Sequence, residues 1–340
     1  MSLSDVERKG LEAERAQLVA RLGEIEVALR GDAEQALNGD RPWVLLSSAG
    51  LIGRWENFEV PPQAGPRTTH DVIVSAVRSA DVFGVLTSRG RVVRARVADL
   101  PVVAVDQVVP NLQGGQRATD LLGLEAGEHA LSLTTLNART FGWALGTRKG
   151  VVKRTNPELP RGDEPFEIIR LEDGDEVVGA VELPHERRQL VFITSDGQLL
   201  HYPATSVRPQ GRSGGGMAGI KLDQDARVVF FGSGSLTGDL VVSNAGRKSA
   251  RDSDFAGSLK ITPLSAFPEK GRATGGVRCH RFLKGEDVLY LAWSGPAPAI
   301  AATKTGSPSN LPAPEPRRDG SGTPATLRIA AVGSRVLGSS

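Results

Sequence analysis

At 340 residues the chain has room for two average domains or for one large all-β unit, and its 39% hydrophobic content with 40 Gly and 21 Pro suits many short strands joined by tight turns rather than a helix bundle. A formal net charge of only +2 excludes recognition by bulk charge, so any nucleic-acid reading must rest on where the basic residues stand. The single cysteine, Cys279, excludes an internal disulfide and fits a reducing compartment; with no apolar run near about 18 residues and no signal-peptide pattern, a soluble cytoplasmic protein is expected.

In chain order, Leu11, Leu18, Leu22, Ile25 and Leu29 form one apolar stripe, with Ser4 as N-cap and Gly31-Asp32 as the stop. The spacing predicts a helix over Ser4–Arg30 within an N-terminal helix and linker, 1–38. Beyond Gly39 the helical period gives way to self-similarity. A short apolar run, then Ser or Thr, two variable residues, Gly and another run recur at Ser47–Gly50, Thr87–Gly90, Thr147–Gly150, Thr194–Gly197, Ser243–Gly246 and Thr303–Gly306. Each reads as a β-hairpin, because a hydroxyl can cap the turn and Gly enters φ > 0 without steric cost.

A second landmark keeps phase with the first: turns with acidic residues open further strands at Asp71-Val72, Gly127-Glu128, Gly174-Asp175, Asp225-Ala226 and Gly285-Glu286. A Gly-rich third precedes some of these, at Gly114-Gly115, Arg212–Gly216 and Arg272–Gly276. The arithmetic gives about four strands per unit and six units, and such small sheets must stack around an axis to bury their faces. The expected architecture is a six-bladed, all-β, propeller-like unit over 39–333. Its last blade, about 294–333, is degenerate and rich in Pro, Ala, Ser and Gly, and a tail follows over 334–340.

Catalytic and metal chemistry is not announced. The five histidines are scattered without ligand spacing, and Cys279 and His280 are strand neighbours that point to opposite faces. Gly232–Gly238 lacks the spacing and the helix of a dinucleotide loop, and Tyr202 and Tyr290 lie in strand-like runs. No catalytic residue, metal ligand or bound cofactor is expected. What recurs is basic charge beside the hairpins. Arg54, Arg94 and Arg154 stand four residues after the turn Gly, with His201 in the fourth copy, and Arg89, Arg91, Arg96, Arg148, Lys149, Lys153, Arg247, Lys248 and Arg251 crowd the same turns; Arg212 and Lys221 flank a Gly-rich stretch. On stacked blades these are expected to form a curved basic band. Bending a 20 to 30 bp duplex by 40 to 90° costs on the order of 1 to 6 kcal/mol. One exposed ion pair supplies roughly 0 to 1 kcal/mol, so several phosphate contacts along an arc are needed. With aromatics at 5% and not interleaved with the basic residues, backbone contact to duplex DNA is favoured over base stacking. A propeller scaffold for protein–protein interaction, without DNA binding, is the competing reading; it would show apolar or aromatic hot spots.

The run Ala144-Leu145-Gly146-Thr147-Arg148-Lys149-Gly150-Val151-Val152-Lys153-Arg154-Thr155 resembles the blade hairpin in the C-terminal domain of the A subunits of bacterial type IIA topoisomerases, DNA gyrase and topoisomerase IV. Val85–Val92, Asp173–Val178 and Arg212–Leu222 resemble further pieces in the family's order. The resemblance implies a β-pinwheel, whose blades exchange a strand with their neighbours, and a role in wrapping or orienting duplex DNA beside a strand-passage core. It further implies that the leading helix ends the core's coiled-coil arm and that the cleavage tyrosine lies in a domain outside this chain. ATP and Mg would be used elsewhere in an A2B2 enzyme that includes the B subunit. That enzyme would work at the nucleoid, and the domain by itself would be a monomer. In place of the basic Gly-rich box of gyrases stands Glu59-Val60-Pro61-Pro62-Gln63-Ala64-Gly65-Pro66-Arg67-Thr68-Thr69. That departure favours a topoisomerase IV-like or divergent gyrase-like subunit.

Overall fold

Tight turns between apolar runs set the local structure. Ser47, Thr87, Thr147 and Thr194 each accept, at the side-chain oxygen, the backbone N–H four residues on, at 3.1 to 3.4 Å. Gly50, Gly90, Gly150, Gly197 and Gly306 take φ between 70° and 86°. The computed structural model describes residues 41–56, 72–103, 112, 114–249 and 255–335. The helix expected over Ser4–Arg30, the stretch Glu59–Thr69 and Arg251 lie outside the described residues.

Six antiparallel sheets, here blades 1 to 6, are built on the hairpins. The first five hairpins are Trp43–Ser47 with Leu51–Trp55, Val82–Thr87 with Arg91–Arg96, Trp143–Thr147 with Val151–Thr155, Gln189–Thr194 with Gln198–Pro203, and Asp239–Gly246 with Ser258–Pro263. Against the first strand of each lies the next long strand of the chain: Ile73–Arg78, Ala130–Thr134, Val177–Glu182, Val228–Gly234 and Val288–Pro296. These inner strands begin just after the acidic turns. Blade 6 pairs Ala299–Thr303 with Pro308–Ser309 and Ile329–Ser334, three strands among the described residues.

The fourth strand of blades 1 to 5 comes from further along the chain, after the next blade's hairpin. Gln116–Arg117 pairs with the second hairpin strand of blade 1, Phe166–Glu167 with that of blade 2, Met217–Ala218 with blade 3, Val277–Arg278 with blade 4 and Thr323–Pro324 with blade 5. This strand exchange makes the fold a β-pinwheel, and the Gly-rich landmarks lead into three of the exchanged strands.

One expected repeat is out of register. In blade 5 the bulge that marks Ser47, Thr87, Thr194 and Thr303 in other blades falls at Ala245. Gly257, with φ 68°, takes the role of the turn Gly: its carbonyl accepts the Ala325 N–H at 2.8 Å, as Gly197 accepts that of Cys279. Ser243–Gly246 is therefore strand, and Arg247 and Lys248 follow its end.

Every pair of neighbouring blades shares a buried core. Val44 and Leu46 meet Phe83 and Val85; Leu86 and Val92 meet Trp143 and Leu145; Ala144 and Val152 meet Phe192 and Phe231; Val191 and Ile193 meet Val241 and Leu289; Val242 and Ile261 meet Ala301 and Val332. Val72 packs on Ala302 and Ala331, so blade 6 meets blade 1 and the ring is closed. Between inner strands, the Ser75 Oγ accepts the Leu133 N–H at 2.9 Å and the Ser132 hydroxyl donates to the Ala180 carbonyl at 2.6 Å.

At the last glycine of each Gly-rich landmark, Gly115, Gly216 and Gly276, the exchanged strand lies too close to its host for a side chain. A Cβ on Gly276, where φ is 73°, would sit 2.4 Å from the Leu199 carbonyl oxygen, whereas one on Gly50, at φ 75°, would meet nothing within 4 Å. Gly50→Ala is expected to cost about 1–2 kcal/mol, the left-handed penalty alone. Gly276→Ala should cost clearly more, read by denaturant unfolding; equal costs would contradict the close docking.

Candidate nucleic-acid interface

The basic residues of the second hairpin strands fall into two groups with different partners. In blades 2 to 4 position four after the turn Gly points to the segment that carries the neighbour's exchanged strand, and there it meets main-chain carbonyls. Arg154 Nε donates to Val207 O at 2.7 Å, and its guanidinium lies 4.0 Å over the Phe141 ring. His201 Nε2 lies 3.0 Å from Phe267 O, at the same place in blade 4. Arg94 donates to Pro160 O at 2.6 Å and to Gly162 O, and it stacks on Phe166. One residue earlier, Lys153 Nζ donates to Arg212 O and Gly214 O, both at 2.7 Å, and Lys260 repeats this with Cys279 O at 2.8 Å and Arg318 O.

Lys153, Arg154, His201 and Lys260 are interior, and Arg94 is half-buried. Lys153 is 0% and Arg154 7% exposed. Burial pushes the Lys153 ammonium down to about 8 and moves Arg154 and Lys260 in the same direction. The expectation that Lys153, Arg154 and Arg94 face solvent on the basic band is corrected here: two-residue exchanged strands leave carbonyls without ladder partners, and these cations satisfy them. Arg91 is also engaged. Glu128 is fully buried, where burial raises its carboxyl, but hydrogen bonds from Arg91, Thr87 and the Glu125 amide outweigh this and hold it below the usual carboxylate range.

The hairpin tips meet the acidic turns. Arg148 pairs with Glu176, Lys149 Nζ donates to Asp173 O at 2.7 Å, and Arg89 reaches Ala126 O at 3.4 Å. Arg247 Nε donates to Gly285 O at 3.0 Å, and the Lys248 amide donates to Asp287 Oδ1 at 2.7 Å. Arg54 is half-buried and lies 3.4 Å from Glu56, and Arg96 is exposed without a side-chain partner. This end of the blades therefore carries interleaved charge of both signs.

The exchange segments differ. Arg212 and Lys221 are exposed on the segment that completes blade 3. Arg117, Arg170, Arg208, Lys270 and Arg278, which hairpin-centred reading passed over, stand exposed on these segments, and no hydrogen bond or ion pair engages their side chains. Successive segments touch: the Arg170 N–H donates to Gly214 O at 3.2 Å, Ala273 to Gly219 O at 2.8 Å, Lys221 to Thr274 O at 3.0 Å and Arg281 to Gly320 O at 3.0 Å. These contacts join the exchange segments of blades 2 to 5, which carry Arg170, Arg208, Lys270 and Arg278 along one outer rim, whereas Arg117 stands on the segment of blade 1. The signal that could have found them is their position beside the Gly-rich landmarks.

Three nucleophilic or titratable side chains, Tyr202, Cys279 and His280, are packed into the fold. Burial raises the Tyr202 phenol, pushes the Cys279 thiol up to about 12 and pushes His280 down to about 4, its imidazole lying between Ser243 Oγ at 2.9 Å and Ser258 Oγ at 3.0 Å. Among the described residues no three His, Cys, Asp or Glu side chains group as metal ligands would.

A closed six-bladed pinwheel with exchanged outer strands defines the class of this protein. The model of the DNA gyrase C-terminal domain, beta-propeller, matches residues 167–183, 188–233 and 256–292. The chain is 32% identical over 157 residues to the topoisomerase component TopoM of Mycolicibacterium smegmatis, covering 45% of this chain and 20% of that protein. It is 28% identical over 204 residues to the A subunit of DNA gyrase from Helicobacter pylori, covering 58% and 23%. In structure it resembles the C-terminal domain of DNA topoisomerase IV, with a TM-score of 0.65, 18% identity and coverage of 86% of this chain and 92% of that one. It also resembles the DNA gyrase A C-terminal domain, with a TM-score of 0.60, 16% identity and coverage of 86% and 99%. Over the matched residues the chain is similar to the DNA gyrase A C-terminal domain family, and its fold is that of these domains. It spans about a fifth to a quarter of the length of the curated relatives it matches.

Lys153→Met leaves two carbonyls without their donor and is expected to cost about 2–4 kcal/mol, since a hydrogen bond to a charged group contributes about 1.5–3. Lys149→Met at the exposed tip should stay within about 0.5 kcal/mol. Urea unfolding of both variants checks this, and an unchanged midpoint for Lys153→Met would contradict the clamp.

Proposed function

We propose that this chain is the duplex-DNA-holding C-terminal part of the A subunit of a type IIA topoisomerase. Residues 39–333 bind DNA without sequence specificity, through phosphate contacts along the outer rim, and so orient or wrap it for strand passage by the catalytic core. In this reading the N-terminal segment 1–38 joins the pinwheel to the coiled-coil arm of that core. Cleavage by tyrosine and the use of ATP and Mg belong to other parts of an A2B2 assembly that contains the B subunit. The assembly works at the nucleoid, and the pinwheel alone is a monomer that does not cut DNA.

The observation that carries the reading is the run of exposed, unpartnered Arg and Lys side chains on exchange segments that touch from blade to blade. Such an array faces phosphates at several points at once, which single ion pairs at the hairpin tips could not match. Aromatic side chains are drawn into the blade cores, Trp143, Phe192 and Phe231 among them, so the rim offers charge and main-chain amides rather than stacking platforms. The described large apolar residues that are exposed, Val74, Val102, Leu159, Leu236 and Leu327, are spread over separate blades and linkers and favour no protein-docking hot spot.

Duplex binding by the chain across a salt series tests this. With about five phosphate contacts, affinity should fall by about 10²–10³ between 50 and 200 mM salt, linear in the logarithm of concentration. Affinity that does not change with salt would overturn the reading.

A further inference from the structure

The exchange segments pair with their host blades alike but differ in charge. Residues 156–170, on blade 2, carry two basic and four acidic side chains, and 310–324, on blade 5, carry two of each. Residues 204–222, on blade 3, carry three basic and no acidic side chains; 265–281, on blade 4, carry four basic residues and a single acid, Glu269, whose Oε2 accepts from Gln189 Nε2 at 3.3 Å. The two strongly basic segments are neighbours on the rim.

They are also joined. The Ala273 amide donates to Gly219 O, the Lys221 amide donates to Thr274 O, and Arg272 Nη1 donates to Ala218 O, so the two segments are tied by three hydrogen bonds. Each is anchored at one equivalent point to its own blade: Gln210 donates its amide to Arg154 O at 2.9 Å, and Lys270 to His201 O at 3.2 Å. Arg212 and Arg272 follow those anchors by two residues and therefore repeat with the blade spacing. Arg208, Lys221, Lys270 and Arg278 are exposed with no side-chain partner.

We infer that the DNA seat is not the whole rim but one patch over blades 3 and 4, formed by Arg208, Arg212, Lys221, Lys270, Arg272 and Arg278, and that the partner it fits is a short stretch of duplex phosphate backbone. The acid-rich segment of blade 2 and the balanced segment of blade 5 bound the patch and repel or release the duplex on either side. A duplex seated on two blades of six follows little of the ring's curvature. The chain therefore grips DNA without wrapping it, and one to two helical turns, about 20 bp, saturate the contact. This inference rests on the DNA-holding reading above and fixes where on the rim that reading operates.

The test uses the full chain and three duplexes of about 20, 40 and 80 bp, with two multiple variants. In the first, Arg208, Arg212, Lys221 and Arg278 are all replaced by Gln; in the second, Arg89, Arg148, Lys149 and Lys248 are. Both sets are exposed, so circular dichroism and the unfolding midpoint should match the unsubstituted chain. The blade 3–4 variant should bind on the order of 10²–10³-fold more weakly at 0.1 M salt and lose about three to four from the salt slope. The hairpin-tip variant should stay within about threefold, and unsubstituted affinity per site should level off by about 20 bp. Salt-dependent binding that survives the blade 3–4 substitutions, or that keeps tightening up to 80 bp, would overturn the two-blade seat while leaving the DNA-holding reading intact. Loss of salt-dependent binding in the unsubstituted chain itself would instead remove that reading.

Discussion

The pinwheel depends on the main-chain carbonyls of its exchange segments. Each exchanged strand contributes only two residues of ladder, so the long segment around it must find other donors for its backbone oxygens. The donors come from the host blade: Arg94, Lys153, Arg154, His201 and Lys260 reach out of the second hairpin strands to carbonyls of the incoming chain, Lys260 to that of Arg318. An ammonium or guanidinium suits the task because it offers several N–H groups and no acceptor. The desolvation that lowers Lys153 is offset by two short hydrogen bonds, and a segment that would otherwise be a loose surface loop is fixed as part of the sheet.

This division of labour sorts the basic residues of the chain. Those buried behind the exchange segments hold architecture; those at the hairpin tips balance the acidic turns, as Arg148 does with Glu176; those on the outer side of the exchange segments are left for a partner. A net charge of +2 is thus compatible with a strongly basic patch, because acidic residues are gathered at the turns and on segments away from blades 3 and 4. Clamp and patch are coupled through the backbone, since Lys153 holds the carbonyl of Arg212 itself.

Much of the fold was legible in the sequence. The Ser/Thr–x–x–Gly hairpins and the strands after the acidic turns fell where the spacing put them, because both report local turn chemistry that neighbouring blades do not change. Blade 5 misled: Ser243 and Gly246 copy the motif inside a strand, while Gly257 takes the role of the turn Gly, and only sheet register distinguishes them. The basic signal four residues after each turn Gly was real, yet its meaning was not legible. Whether Arg154 faces phosphate or a carbonyl depends on a segment more than fifty residues away, Val207, that pairs across a blade boundary. For the same reason Arg208 and Arg278 escaped notice: their importance comes from which segments touch, a property of strand exchange rather than of local pattern.

Amide hydrogen exchange of the full chain, with and without a saturating 20 bp duplex, tests most directly whether clamped exchange segments form the working surface. Without DNA, amides of 214–220 and 273–279 should exchange nearly as slowly as those of the blade cores, and added duplex should slow exchange there and leave the tips at 147–150 and 194–197 unchanged. Fast exchange in those segments without DNA, or protection that appears at the tips instead, would contradict the account.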